Sequence, residues 1–181
     1  MAGAGQERCV RLFHGIAVLC FCTLPGFAVE APAQAPAANL LRKDPMMTRH
    51  AEGTFDVKNT PLAADDAITG TPIGRFGLDK QFHGDLDATS KGEMLGAGDP
   101  AKGTAGYVAI EYVTGTLNGH KGAFGLQHSG TMEGGSFKLS VQVVPGSGSG
   151  ELAGIGGTMT ITIAAGGKHS YTFDYTLPAA Q

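Results

Sequence analysis

The chain has 181 residues, a net charge of −3 and only 16% charged residues, with 29 glycines and no tryptophan. That length allows one domain and little more, and a weakly acidic chain without clustered Lys and Arg excludes a nucleic-acid surface. Its three cysteines, Cys9, Cys20 and Cys22, all lie near the N-terminus, which excludes a disulfide framework, a thiolate metal site and a cysteine nucleophile from the domain downstream.

Residues 1–28 read as a secretory signal peptide. Arg8 and Arg11 supply a positive start, Leu12 to Leu24 is mostly apolar, and Pro25-Gly26-Phe27-Ala28 offers small residues for cleavage after Ala28. A periplasmic or secreted protein follows, with no stable membrane anchor once the signal is removed. Translation from Met46 or Met47 would instead leave it in the cytoplasm. Residues 29–47 form a linker rich in Ala and Pro, Ala31-Pro32-Ala33-Gln34-Ala35-Pro36-Ala37-Ala38 at its centre, with no core pattern and an expectation of disorder. Residues 48–181 remain for a single domain.

From residue 48 the hydrophobic period is two, the period of strands. Ala51 to Lys58 is the first strand, followed by a loop with Pro61, Asp65, Asp66, Gly70 and Pro72. Arg75 to His83 alternates, with Phe76, Leu78 and Phe82 on one face; Gly84-Asp85 bends the chain and Leu86 to Leu95 continues it. Gly98-Asp99-Pro100 is turn chemistry. Gly106 to Thr116 leads to Asn118-Gly119, a hairpin signal because both central residues of a type I′ turn need positive φ. Gly122 to Met132 returns, Gly134-Gly135 turns again, and Ser136 to Val144 alternates cleanly.

Pro145-Gly146-Ser147-Gly148-Ser149-Gly150 looks like a phosphate-cradling loop, but the required lysine and the following helix are missing. Ser149 is placed to cap one short turn through Glu151 and Leu152. Thr158 to Ala165, a turn at Gly166-Gly167, and Lys168 to Leu177 complete the pattern. Segments ending in Gly130-Thr131-Met132 and Gly157-Thr158-Met159 make a faint internal echo. About eight short-turned strands predict an all-β sandwich or barrel. A closed antiparallel barrel is favoured, since closure removes exposed edges.

Several of these segments resemble a known family. Lys80-Gln81-Phe82-His83-Gly84-Asp85-Leu86, Ala105-Gly106-Tyr107-Val108-Ala109-Ile110-Glu111 and Gln127-His128-Ser129-Gly130-Thr131-Met132 carry the resemblance. So do Ser149-Gly150-Glu151-Leu152-Ala153-Gly154 and Lys168-His169-Ser170-Tyr171-Thr172-Phe173-Asp174-Tyr175. Together they resemble a family of small bacterial proteins of unknown function, similar in fold to the allene oxide cyclase barrel. The resemblance implies eight antiparallel strands and no particular activity. Plant allene oxide cyclases close a ring in a fatty-acid epoxide inside the barrel, but their catalytic residues do not map onto this sequence. Fold alone does not license function.

If the apolar faces point inward, Lys80 lies between Leu78 and Phe82, and His128 follows Phe124 and Leu126 on one parity. Glu111 shares a face with Tyr107, Ala109 and Val113, although Val108, Ile110 and Tyr112 opposite are at least as apolar. A buried lysine must be paired or lose its charge, and Glu111 is the candidate partner. Lys80, Glu111, His128 and Tyr107 are therefore the candidate ligand-binding residues. No cofactor is called for, and no His-Glu-x-x-His or clustered spacing suggests a metal. His83, His120 and His169 read as solvated. The leading function is an exported barrel holding a small apolar or amphipathic ligand in its lumen. A cofactor-free isomerase or cyclase is the alternative, and a structural or assembly role, with homo-oligomerisation open, is the third.

Overall fold

A computed structural model describes residues 46–178. The expected signal peptide and nearly all of the linker lie outside the described residues; Met47 already begins the first strand. The elements are β1 (Met47–Leu62), β2 (Gly74–Gly84), β3 (Leu86–Asp99), a 3-10 turn (Pro100–Lys102), β4 (Thr104–Leu117) and β5 (His120–Glu133). After these come β6 (Ser136–Val143), the two-residue β7 (Ser149–Gly150), β8 (Gly156–Ile163) and β9 (His169–Leu177). Every neighbouring pair is antiparallel, in the order β4-β3-β2-β1-β9-β8-β6-β5, and β4 pairs with β5 to close the ring. The result is a closed eight-stranded barrel, not a sandwich.

Local chemistry explains the turns. Asn118 and Gly119 both take positive φ, 46° and 84°, as a type I′ turn requires. The Asn118 amide donates to the His50 carbonyl and to the Tyr175 hydroxyl, tying this turn across to β1 and β9. The strands run longer than alternation alone predicts. β1 carries Pro61 inside it, paired with Phe76 of β2. Proline is tolerated there because β9 stops pairing with β1 after Phe55, leaving that flank of the strand open. Ser149 does not cap the following turn with its side chain. It pairs with Ala123 of β5, and its backbone carbonyl accepts from Leu152 N–H. The Gly-Thr-Met echo is not a structural repeat: Met132, near the end of β5, lines the lumen, whereas Met159, within β8, lies in the packed core.

The barrel interior is divided along its axis. The half nearest the Asn118 turn is packed solid by Phe82, Leu86, Leu117, Phe124, Leu126 and Phe173, none more than 1% exposed. Stacked rings at 5.7 Å (Phe124 and Phe173) and 5.3 Å (Phe173 and Tyr175) run through it. Leu152 and Ile155, folded back from the connection between β6 and β8, seal this end. The opposite half is not filled. An eight-stranded barrel is just wide enough for either arrangement, and here it adopts both.

Candidate functional site

The junction between the packed half and the open half holds a row of polar side chains, one from each of four adjacent strands. Lys80 comes from β2, Ser90 from β3, Glu111 from β4 and His128 from β5; all four are buried. Strand alternation turns each inward, and the barrel's stagger lines them up. Ser90 pairs with Val113 and Glu111 with Leu126, so each contact to Glu111 runs diagonally, two residues out of register. Lys80 must reach across β3 to meet Glu111. It can, because β3 carries only Ser90 and Gly92 on the intervening inner face. A Cβ added at Gly92 would lie 2.2 Å from the Ile110 carbonyl oxygen.

Glu111 is the hub. Its Oε1 accepts from Lys80 Nζ at 2.7 Å and from His128 Nε2 at 2.7 Å, and its Oε2 accepts from Ser90 Oγ at 2.6 Å. Burial on its own pushes this carboxyl up. The hydrogen bond from His128 and the charge of Lys80 outweigh it and hold the group at about 2. Glu111 is therefore an ionised carboxylate, and His128 Nε2 carries the hydrogen it donates. The Lys80 ammonium also lies 5.0 Å from the Phe55 ring centre and 5.8 Å from that of Phe82, within cation–π range.

Above this floor opens a cup of about 640 Å³, within the size range of small-molecule sites. Its walls are apolar, with Val57, Phe76, Leu78, Met94, Leu139 and Ile161 facing the space. Lys80 and His128 reach it from below, His169 lines it beside Phe55, and Tyr107 and Phe137 stand on the β4–β6 side. The Tyr107 ring covers Gly130, where any side chain would collide with it, and stacks on Phe137 at 6.4 Å. Burial, with the Glu111 charge adding to it, pushes the Tyr107 phenol up. Among the described residues no three His, Cys, Asp or Glu side chains gather as a metal site.

Residues 51–175 match the family model described as a protein of unknown function, DUF3224. The chain belongs to the DUF3224 family. No curated protein matches it. Among solved structures it is similar to a DUF3224-family protein of unknown function from Shewanella oneidensis MR-1. The two share 49% sequence identity over 74% of this chain and 99% of that one, with a TM-score of 0.64.

In this DUF3224 member, three of the four residues expected in the lumen line the cup: Lys80, His128 and Tyr107. Glu111 sits behind Lys80 and His128 and does not line it, so its role is to hold them. The ambiguous parity of β4 resolves with Glu111 inward; Val108 and Ile110 are each 55% exposed on the outer wall. His169 is not simply solvated. It is half-buried in the cup wall beside the floor, its ring 4.9 Å from that of Phe55. His120 bonds Arg49, and His83 pairs with Asp56 at 3.5 Å on the surface. Sequence reasoning missed Ser90, although its parity with Leu86 and Ala88 was a usable signal. It also missed Phe55, the aromatic floor beside Lys80.

Proposed function

We propose that this protein is a binding module whose barrel cup holds one small amphipathic molecule. The observation that carries this reading is the half-empty interior: an apolar cup of about 640 Å³ ending on Lys80 and His128. A barrel selected for stability alone gains by filling such a space, since buried apolar surface contributes about 25 cal/mol per Å². Convergent polar groups at the base of an apolar pocket are what orients a ligand. Export, read from residues 1–28, fits a carrier or scavenger acting outside the cytoplasm.

A fluorescence titration with the neutral dye N-phenyl-1-naphthylamine tests the site. The native protein binds the dye, and the cup-filling variants Ala109→Phe and Leu139→Trp lose it. Ile110→Lys, on the outer wall, leaves binding unchanged. Dye bound equally by native protein and both filled variants, but lost in Ile110→Lys, would move the site to the outer face.

A second reading is a cofactor-free isomerase. Its support is His128, which bridges an ionised carboxylate and an apolar cavity as an oriented base does. Such a base would take a proton from carbon next to a ketone and return it, with the Lys80 ammonium facing the enolate oxygen. Exchange of the α-hydrogens of 2-decanone in D₂O, followed by NMR, tests it. Exchange faster than buffer that is lost in His128→Gln supports the reading; exchange at the buffer rate refutes it.

A further inference from the structure

The hydrogen-bonding state of the cup floor goes further than the presence of a cup, and the inference drawn from it rests on the binding reading above. Glu111 has no free capacity toward the lumen. Both its oxygens are occupied by Lys80, His128 and Ser90, and the residue is 1% exposed. The ammonium of Lys80 has three hydrogens and one acceptor. Around it lie the faces of Phe55 and Phe82, which attract a cation but accept no strong hydrogen bond, and His128, whose Nε2 donates to the same Glu111 oxygen. The floor therefore presents unspent donor capacity and no free carboxylate.

We infer that the ligand is a single-chain organic acid bound head-down, its carboxylate on Lys80 at the floor and its chain along the apolar wall toward the mouth. An acceptor group completes the lysine's hydrogen bonding; an ammonium head could reach only His128 Nδ1 and would meet the like charge of Lys80 beside it. A negative charge is favoured over a neutral acceptor because hydrogen bonds between ionised partners are roughly twice as strong as neutral ones. A monoanion fits better than a dianion, because Glu111 already contributes one negative charge to the cluster. The wall sets the length of the chain. From Lys80 to the mouth at Gly74, β2 runs six residues, roughly 20 Å along a strand at about 3.3 Å per residue. Barrel tilt shortens this to about 15 Å along the axis. A chain of medium length spans it, against Leu78, Phe76 and Met94.

Three ten-carbon competitors that differ only at the head test this: decanoate, decanol and decylamine, each displacing N-phenyl-1-naphthylamine from the native protein at pH 7. Because the dye is neutral, its binding reports the cup and its displacement reports the head group. Decanoate displaces it at a concentration roughly tenfold to hundredfold lower than decanol, the range of one charge-assisted hydrogen bond, and decylamine is the weakest. The double variant Lys80→Met/Glu111→Gln removes both charges together. It still binds the dye but treats decanoate and decanol alike. Equal displacement by all three competitors, or a preference for decylamine, overturns the head-down acid while leaving the cup as a binding site. Dye that never binds, or that no competitor displaces, overturns the binding reading and this inference with it.

Discussion

Replacing Glu111 with glutamine removes the one negative charge at the centre of the polar row while keeping its shape. Lys80 then lies 6% exposed between two phenyl rings with no counter-ion. Breaking a buried pair from one side costs about 3–5 kcal/mol, because the remaining charge stays desolvated. The lowering of the carboxyl's pKa by its partners corresponds to a similar figure. Its folded value of about 2 lies below the ordinary 4.5, so ionised Glu111 contributes roughly 3 kcal/mol to folding. The sign follows from the direction of the shift. This stability is fully present above pH 4.5 and is lost as the pH falls toward 2. Urea denaturation of native protein and Glu111→Gln, repeated from pH 7 down to pH 2.5, measures both effects. At pH 7 the variant's midpoint falls by about 1.5–2.5 M urea, at a slope of about 2 kcal/mol per M. Below pH 4.5 the native protein loses stability toward the variant's level, while the variant changes less over the same range. A Glu111→Gln unfolding free energy within about 0.5 kcal/mol of native at pH 7, as for an ordinary surface change, would refute the claim that an ionised Glu111 holds the row together.

Three further outcomes follow from the same geometry. Lys80→Met/Glu111→Gln removes both charges and keeps a side-chain carbonyl to accept from His128; it recovers part of the stability that Glu111→Gln loses, since the uncompensated buried charge is the costly element, and thermal unfolding of both variants compares them. Gly92→Ala drives a methyl group against the Ile110 carbonyl and costs about 1–3 kcal/mol as overpacking, measured by urea denaturation. Leu152→Ala opens a cavity where the connection between β6 and β8 seals the packed end and costs about 2–5 kcal/mol, with the dye still bound at the other end of the barrel.

Much of the barrel was legible in the sequence because alternation is a local property. Ser136 to Val144 and Arg75 to His83 show which side chains share a face, and a face rich in Phe and Leu turns inward; this brought Lys80 and His128 to the lumen. β4 was harder. Val108, Ile110 and Tyr112 are as apolar as the residues they alternate with, so its own pattern does not choose a face. The choice comes from β3 and β5, whose inner residues place Glu111 within reach of three donors. That is a property of register between strands and not of any one strand. The division of the interior was not legible for a related reason. Leu152 and Ile155 belong to a connection with no strand period, yet they decide which end of the barrel is sealed. Ser90 escaped notice because a small polar residue at an inward position reads as a gap in the pattern until its partner is known.

The cup as the binding site is most directly tested by a crystal structure of the native protein grown with decanoate. The expected result is one molecule inside the barrel, its chain against Leu78, Ala109 and Leu139 and its carboxylate within hydrogen-bonding distance of Lys80 Nζ. Decanoate seated on the outer wall at Val108 and Ile110, with the cup unoccupied at saturating concentration, would contradict it.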